Sequence, residues 1–325
     1  MKKIAVFTSG GDSPGMNACI RAVTRTAIYN HLEVTGIMRG YKGMIEGGEN
    51  YVSLNSRSVG NIIQRGGTIL KTSRSNEFMT AEGRKKAFEN LKLNSIDALV
   101  CVGGNGTFTG AEIFYNEYKI PCIGVPGTID NDLSGTDFTV GFDTAINTAL
   151  GAIDKIRDTA ESHERFFFVE VMGRDAGYIA LASGIAGGAE IVLLPEVKEN
   201  FDQIVSYFNK SIHSKKSFSI AIVAEGNYEG GAFEMVNQIK KYIPTFDPRI
   251  VILGHIQRGG SPTAYDRVLA SRLGNAAVEG LLKGETNKMA GLINNQVALT
   301  PFNESISKSK KLNPELLKLI DIFNC

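Results

Sequence analysis

The stretch Ala98-Leu99-Val100-Cys101-Val102-Gly103-Gly104-Asn105-Gly106-Thr107-Phe108-Thr109-Gly110 decides the reading of the fold. Five successive apolar residues read as a strand buried on both faces, since a half-buried strand would alternate. A glycine turn follows, and Gly110–Tyr118 then reads as helix. Strand, glycine turn, helix is the parallel βαβ unit. The order recurs outward in both directions. Ile4–Phe7 precedes a Gly-rich turn and the helical Met16–Tyr29, and Phe166–Val171 precedes Gly173 and the helical Gly177–Ile185. Cys122–Val125 precedes a polar loop, and Glu190–Leu194, Ser219–Ala224 and Arg249–Leu253 extend the series. The last contains Ile250-Val251-Ile252-Leu253, read as another strand buried on both faces. Phe201–His213 and Gly231–Ile243 read as amphipathic surface helices without a function.

The 325 residues suit one large or two modest domains. No Pro/Ser linker or low-complexity tract divides them, so two α/β domains in intimate contact are expected, with ligands beyond the strands' carboxyl ends. The 43% apolar and 21% charged fractions exclude a wholly disordered chain. A net charge of +1 argues against a general nucleic-acid surface and leaves room for a local basic pocket. Glycine stands at 36 of 325, above the roughly 7% average, and without collagen periodicity the excess belongs to turns and close approaches. No apolar run reaches the ~18 residues of a membrane span. The basic start and four-residue run Ile4–Phe7 fall short of the roughly 7–15 residues of a signal core and read as a first strand. Cys19, Cys101, Cys122 and Cys325 form no CxxC pair. Buried inert thiols in a reducing cytoplasm are expected. The four histidines lack zinc-ligand spacing.

Four segments carry chemistry. In Thr8-Ser9-Gly10-Gly11-Asp12-Ser13-Pro14-Gly15-Met16-Asn17, paired glycines let backbone amides approach a phosphate at a helix N-terminus. The plain alternative is a tight turn with Asp12 or Ser13 capping the helix. Gly103–Gly110 is a second such turn. It is not the dinucleotide fingerprint, because Thr109 occupies the third glycine's place, and Gly67-Thr68-Ile69-Leu70-Lys71-Thr72 misses the P-loop glycine at Leu70. Pro126-Gly127-Thr128-Ile129-Asp130-Asn131-Asp132 sets two carboxylates and an amide directly after a strand, able to take a proton from a substrate hydroxyl or to form an Asx-turn network. The arginines are the fourth group. Arg174 and Arg258 each follow an apolar strand and sit beside glycine, while Arg74, Arg165 and Arg249 are further candidates for phosphoryl oxygens. No hydrolase elbow or paired metal histidines accompany these parts. Phosphoryl transfer between small anionic molecules is the class that uses them.

The motifs Ser9–Asn17, Pro126–Asp132, Val171-Met172-Gly173-Arg174 and Gly254-His255-Ile256-Gln257-Arg258-Gly259-Gly260 resemble the signatures of bacterial ATP-dependent 6-phosphofructokinases, from Lys3 to about Leu299. The resemblance implies two Rossmann-like three-layer domains with mainly parallel sheets and the active site in the cleft between them. It places an ATP-binding domain at 1–141 plus about 257–308, and a fructose 6-phosphate-binding domain at 142–256 plus about 309–325. It implies transfer from Mg²⁺-ATP to the sugar's 1-hydroxyl in a cytoplasmic homotetramer, with no nucleic acid or membrane partner. Asp130 would be the base, and Thr128 and Arg174 would stabilise the moving phosphoryl. Arg74 would reach the nucleotide, with Gly11, Ser75, Gly104, Asn105, Gly106, Thr107 and Gly110 lining its site. Ile129, Met172, Gly173, Glu225, His255, Ile256, Gln257 and Arg258 would hold the sugar phosphate beside Thr128, Asp130 and Arg174, and Arg165 and Arg249 would reach in from a neighbour. Arg21, Arg25, Arg157, Glu190 and Lys216 match an effector site for nucleoside diphosphate or phosphoenolpyruvate.

Two departures qualify this. The family's turn reads Gly-Gly-Asp-Gly, where the Asp helps hold Mg²⁺, and here the residue is Asn105. An effector arginine is replaced by Ser56, next to Arg57, and Ser214 and Ser217 interrupt the basic cluster near Lys216, so weak regulation is expected. The rival readings are a pyrophosphate-dependent phosphofructokinase, which carries an acid at Gly106 and a lysine at Gly127, and a weakly active regulatory paralogue, for which Asn105 speaks alone.

Overall fold

The computed structural model describes residues 1–197, 201–213, 218–227 and 230–323. Lys216, Ser214, Ser217 and Cys325 lie outside them. In chain order the elements are β1 (Lys3–Thr8), α1 (Met16–Tyr29), β2 (Glu33–Ile37), α2 (Gly40–Glu46), β3 (Tyr51–Leu54), α3 (Ala81–Leu93), β4 (Ala98–Gly103), α4 (Asn105–Tyr118), β5 (Cys122–Pro126) and α5 (Phe142–His163). There follow β6 (Phe166–Val171), α6 (Tyr178–Ala186), β7 (Ile191–Leu193), α7 (Phe201–His213), β8 (Ser219–Ala224), α8 (Gly231–Tyr242), β9 (Arg249–Ile252), α9 (Ala264–Leu282), β10 (Lys288–Ile293), β11 (Gln296–Pro301), α10 (Phe302–Ser307) and α11 (Pro314–Phe323). The chain divides into a first unit of Met1–Ile129, Leu133–Thr144 and Arg258–Lys310, and a second of Asp130–Asp132, Ala145–Gln257 and Lys311–Cys325.

The first unit is built on a sheet of order β11-β10-β5-β4-β1-β2-β3, parallel except for the outermost strand at each edge. Successive residues of its central strands feed two cores. Ile4, Val6, Val100 and Val102 pack with Met16, Ile20 and Val23 of α1 and Leu269 and Leu273 of α9. Ala5, Phe7, Leu99 and Cys101 pack with Met44, Leu91, Phe108 and Phe114 from α2, α3 and α4 on the other face. Helices on both faces explain why β4 reads as an unbroken apolar run. α1 and α9 approach closely at Gly274, where a Cβ would stand 2.9 Å from the Ala22 Cβ.

The second unit carries the parallel sheet β7-β8-β6-β9. Phe168, Leu193 and Val223 pack with Phe208 of α7 and Met235 and Ile239 of α8. Val169, Ile220 and Ile222 on the alternate positions are also fully buried. Both amphipathic helices stand where their spacing put them.

Three expectations change. β9 is not buried on both faces. It pairs only with β6, at the sheet edge, and Ile252 is 49% exposed, so an apolar run does not by itself mark a central strand. α4 begins at Asn105, not Gly110, so the glycine-rich turn is half helix; Gly106 and Gly110 hid the periodicity. The strands β2, β3, β10 and β11 were not recognised, being short, polar or interrupted by glycine. Cys19, Cys101 and Cys122 are buried free thiols, as expected. Burial pushes the Cys19 thiol up to about 12, where it is inert. No described helix is long and apolar enough to cross a membrane.

Candidate active site

In the first unit, β1 delivers the chain into the turn Ser9–Gly15, with Gly10 and Gly15 in the left-handed region. Gly15 is the N-cap of α1 and no side chain bonds to the cap, so neither Asp12 nor Ser13 plays the capping role expected of a plain turn. The glycines are demanded by what approaches them. A Cβ on Gly15 would lie 2.6 Å from Val140 Cγ1, and one on Gly11 would lie 2.0 Å from Arg258 Nη1. The Arg258 guanidinium is thus laid against the Gly11 backbone. The sequence had assigned these two residues to different ligands, and the fold sets them in contact.

β4 ends beside this turn. Thr107 Oγ1 donates to Ser9 O at 3.2 Å, and a Cβ on Gly103 would meet that hydroxyl at 2.3 Å. Gly104 caps α4 in extended conformation, which places Asn105, Gly106 and Thr107 in the helix's first turn, where main-chain amides and the helix dipole favour an anion. Nothing lies within 4 Å of a Cβ on Gly106, so that position opens onto free space. Gly110 faces the Tyr41 ring instead, with the nearest ring atoms at 3.1 Å from its Cβ position, and serves packing. Tyr41 was missed by the sequence reading. Its hydroxyl donates to Thr107 O at 2.6 Å and its ring stacks on Phe78 with centroids 3.9 Å apart.

The segment bearing Arg74 is tied to the same turn, since Thr8 Oγ1 donates to Lys71 O at 2.9 Å and Thr72 Oγ1 to Gly10 O at 2.7 Å. Arg74 itself is exposed, and Ser75 Oγ accepts from Phe78 N at 3.3 Å, which makes it a turn residue. Further along, Arg84 forks onto Glu117 at 2.6 and 2.7 Å and donates to Phe78 O and Met79 O.

The acid loop leaves β5. Gly127 N donates to Gly103 O at 3.0 Å, and Thr139 Oγ1 donates to Thr128 O at 2.6 Å. The Thr128 Cβ stands 3.6 Å from the Cβ position of Gly104, so Thr128 adjoins the turn that opens α4. Asn131 has φ +54, a conformation that asparagine tolerates better than most residues, so it turns the chain after Asp130. Ile129 is 1% exposed and belongs to packing.

In the second unit, Asp130 is 6% exposed and its Oδ2 lies 3.7 Å from Arg174 Nε. Arg174 follows β6 with φ +52, and Gly173 precedes it at φ +140. Its backbone N donates to Glu225 Oε1 at 2.7 Å. The approach of Gly226 leaves no room for a side chain, because a Cβ there would sit 2.0 Å from Arg174 O. Left-handed backbone at a non-glycine residue costs about 1 kcal/mol or more. The Arg174 side chain is 59% exposed, so its ion pair returns little stability. Gln257 is fully buried, accepting weakly from Met172 N at 3.4 Å and donating to Gly254 O at 3.1 Å. It braces the segment through these two bonds. His255 and Ile256 are exposed beside it, and so are Arg165 and Arg249, the latter paired with Asp247 at 3.3 Å.

Of the effector candidates, Arg157 Nη2 donates to the carbonyls of Gly187 and Gly188, and Glu190 Oε2 accepts from Ile220 N at 2.8 Å. The fold brings those two segments together. Arg21 and Arg25 stand one turn apart on α1, in the first unit.

One buried acid escaped the sequence reading. Asp266 is fully buried in the first turn of α9, and burial pushes its carboxyl up to about 6. Its signal was legible as Thr263-Ala264-Tyr265-Asp266, a capping-box spacing. Thr263 is indeed the N-cap, accepting from Asp266 N. Among the described residues no group of three or more His, Cys, Asp or Glu could cage a metal.

Residues 3–281 match the phosphofructokinase family. The chain is 58% identical over 324 residues to the ATP-dependent 6-phosphofructokinase of Cytophaga hutchinsonii, covering 100% of this chain and 98% of the relative. It is 55% identical over 323 residues to the ATP-dependent 6-phosphofructokinase 1 of Thermus thermophilus, covering 99% of each. Among solved structures it is similar to the phosphofructokinase of Saccharomyces cerevisiae, with a TM-score of 0.87 and 36% identity over 100% of this chain and 47% of that longer one. A pyrophosphate-dependent phosphofructokinase from Marinobacter aquaeolei shares the fold, with a TM-score of 0.85 at 22% identity over 99% of this chain and 91% of that one.

Proposed function

The chain belongs to the phosphofructokinase family, and from that membership and its two sets of loops we infer that it transfers the terminal phosphoryl group of ATP to the 1-hydroxyl of fructose 6-phosphate. The carrying observation is full-length identity of 58% to an ATP-dependent relative. The local geometry favours ATP over pyrophosphate. Gly106 opens onto free space, while a side chain at Gly127 would meet Val102 Cγ1 at 2.8 Å. A coupled assay with either donor tests the reading: turnover with ATP and none with pyrophosphate is expected, and the reverse overturns it.

Each residue then has a task. The amides around Gly11 and at the start of α4 receive donor phosphates, and Arg74 supplies a cation. Asp130 takes the proton of the 1-hydroxyl as that oxygen bonds to phosphorus, and the bond from phosphorus to the leaving oxygen of ADP breaks. Arg174, paired with Asp130, carries positive charge to the phosphoryl oxygens, and Thr128 offers a hydroxyl to the same group. Glu225, His255 and Arg258 hold the sugar phosphate in this reading.

The donor chemistry suits magnesium that arrives on the nucleotide rather than a resident ion. Mg²⁺ keeps several waters and needs only one or two protein oxygens besides phosphates, so the lack of an acid cage among the described residues is no obstacle. Bound there, it would neutralise charge on the phosphates. Asn105 offers a neutral oxygen where a carboxylate would add attraction. Asn105→Asp should therefore lower the Mg²⁺ midpoint and raise kcat. The change also adds an acid to the first turn of α4, favourable by about 0.3–1 kcal/mol whether or not it meets the metal. Magnesium titration at fixed MgATP separates the two effects. A higher melting temperature with an unchanged midpoint would remove Asn105 from the metal's surroundings.

The same reading takes the protein to be a homotetramer in which Arg165 and Arg249 complete a neighbour's sugar site. Both arginines are exposed, and the edge strand β9 and the turn after it present Ile252 at 49% and Ile256 at 59% exposure, apolar surface that a partner would cover. Sedimentation at assay concentrations should give four times the 35.1 kDa chain mass. A fully active monomer overturns the sharing.

A further inference from the structure

We propose that Asp266 is a positioning residue for phosphoryl transfer, its buried carboxylate setting the segment Thr139–Thr144 on which the acid loop and the phosphate turn are both registered. The proposal rests on the functional reading above.

The geometry is a reciprocal cap between two helices. Asp266 Oδ1 accepts from Gly141 N at 2.8 Å, and Oδ2 accepts from Thr144 N at 2.8 Å and Thr144 Oγ1 at 2.5 Å, so an acid on α9 receives the amide just before α5 and one in its first turn. In return Thr144 Oγ1 accepts from Thr263 N at 3.1 Å, and Thr263 Oγ1 donates to Asp143 Oδ2 at 2.6 Å. Each helix start thereby receives a side-chain acceptor from the other.

Two chains of contacts lead from this cap to the site. On one side, Val140 N donates to Pro126 O at 2.8 Å and Thr139 Oγ1 to Thr128 O at 2.6 Å, holding the loop that ends in Asp130. On the other, Gly15 admits Val140 Cγ1, with Asp266 Cβ 3.7 Å from its own Cβ position, and a Cβ on Gly141 would stand 2.6 Å from Ser13 Cβ. Both the acid loop and the turn before α1 therefore rest on residues 139–144, and Asp266 fixes that segment from behind. The chain leaves the first unit just after Thr144 and returns to it at Arg258, five residues before Thr263, so these capping residues bracket that excursion in sequence. A carboxylate is required because every contacting group is a donor. An asparagine would turn its own N–H₂ onto an amide N–H or the Thr144 hydroxyl.

Small displacements at a reacting centre are costly: a 1 Å misplacement can remove about 10²-fold in rate. Asp266→Asn should therefore lower kcat by about 10- to 100-fold per folded molecule, with KM for ATP and fructose 6-phosphate within about threefold. Thr144→Val should do the same to a lesser degree, and Thr144→Ser, which keeps the hydroxyl, should restore kcat. A merely structural role would reduce the folded fraction and leave kcat per folded molecule alone. Should Asp266→Asn fail to fold, the Thr144 pair decides. Wild-type kcat in Asp266→Asn and Thr144→Val, or a Thr144→Ser enzyme as slow as Thr144→Val, overturns the proposal. A wild-type protein that never phosphorylates fructose 6-phosphate overturns the functional reading instead, and this one with it.

Discussion

Asp130→Asn is expected to lower kcat by about 10²–10⁴-fold, the range over which a positioned general base acts. Asparagine keeps the size and planarity of the side chain, so the left-handed turn at Asn131 and the Thr139–Thr128 bond need not shift. What disappears is the proton acceptor and the partner of the Arg174 guanidinium at 3.7 Å. A base acts on the transition state, so KM for fructose 6-phosphate should move far less than kcat. Steady-state kinetics at saturating MgATP, beside a melting curve to establish folding, gives both numbers. A kcat near that of the wild type would sink the assignment of Asp130 as base.

How much of this could be read beforehand varies by residue. Ala98–Val102 gave a buried strand because every position faces one of two cores, and that pattern survives in sequence. Ile250–Leu253 has the same composition but an edge position, and nothing local distinguishes the two; only strand order does. The glycine turns were legible because glycine spacing is a direct consequence of close backbone approach. What approaches was not. Arg258 against Gly11 joins residues that are 247 positions apart and had been given to different ligands. Asp266 shows the opposite case. Its capping-box spacing is local and readable, but its acceptor role toward Gly141 and Thr144 joins residues more than 120 positions apart, which no local pattern encodes. Gln257, included in the sugar site by its motif, is fully buried and bonded to the main chain of Met172 and Gly254, a bracing contact that the motif alone did not announce.

Arg174 allows activity and stability to be pulled apart. Its left-handed backbone at φ +52 costs about 1 kcal/mol or more, and glycine would adopt it without strain. Its ion pair with Asp130 is largely solvated on the arginine side, so losing it removes little. The hydrogen bond to Glu225 comes from the backbone N and survives any substitution except proline. Arg174→Gly should thus be as stable as the parent or about 1 kcal/mol more so, a trade of function against strain. Arg174→Met keeps the strain and the apolar stem and loses only the guanidinium. Both variants should lose about 10²–10³-fold in kcat, the usual effect of deleting one preorganised donor at a developing charge. Thermal unfolding and kinetics on the two together make the test. If Arg174→Gly is inactive and more stable while Arg174→Met is inactive and no more stable, strain and charge are separate properties of one residue. If Arg174→Met keeps more than about a tenth of the parent kcat, short of the tenfold loss that 1.4 kcal/mol represents, the guanidinium does not stabilise the transferring phosphoryl group.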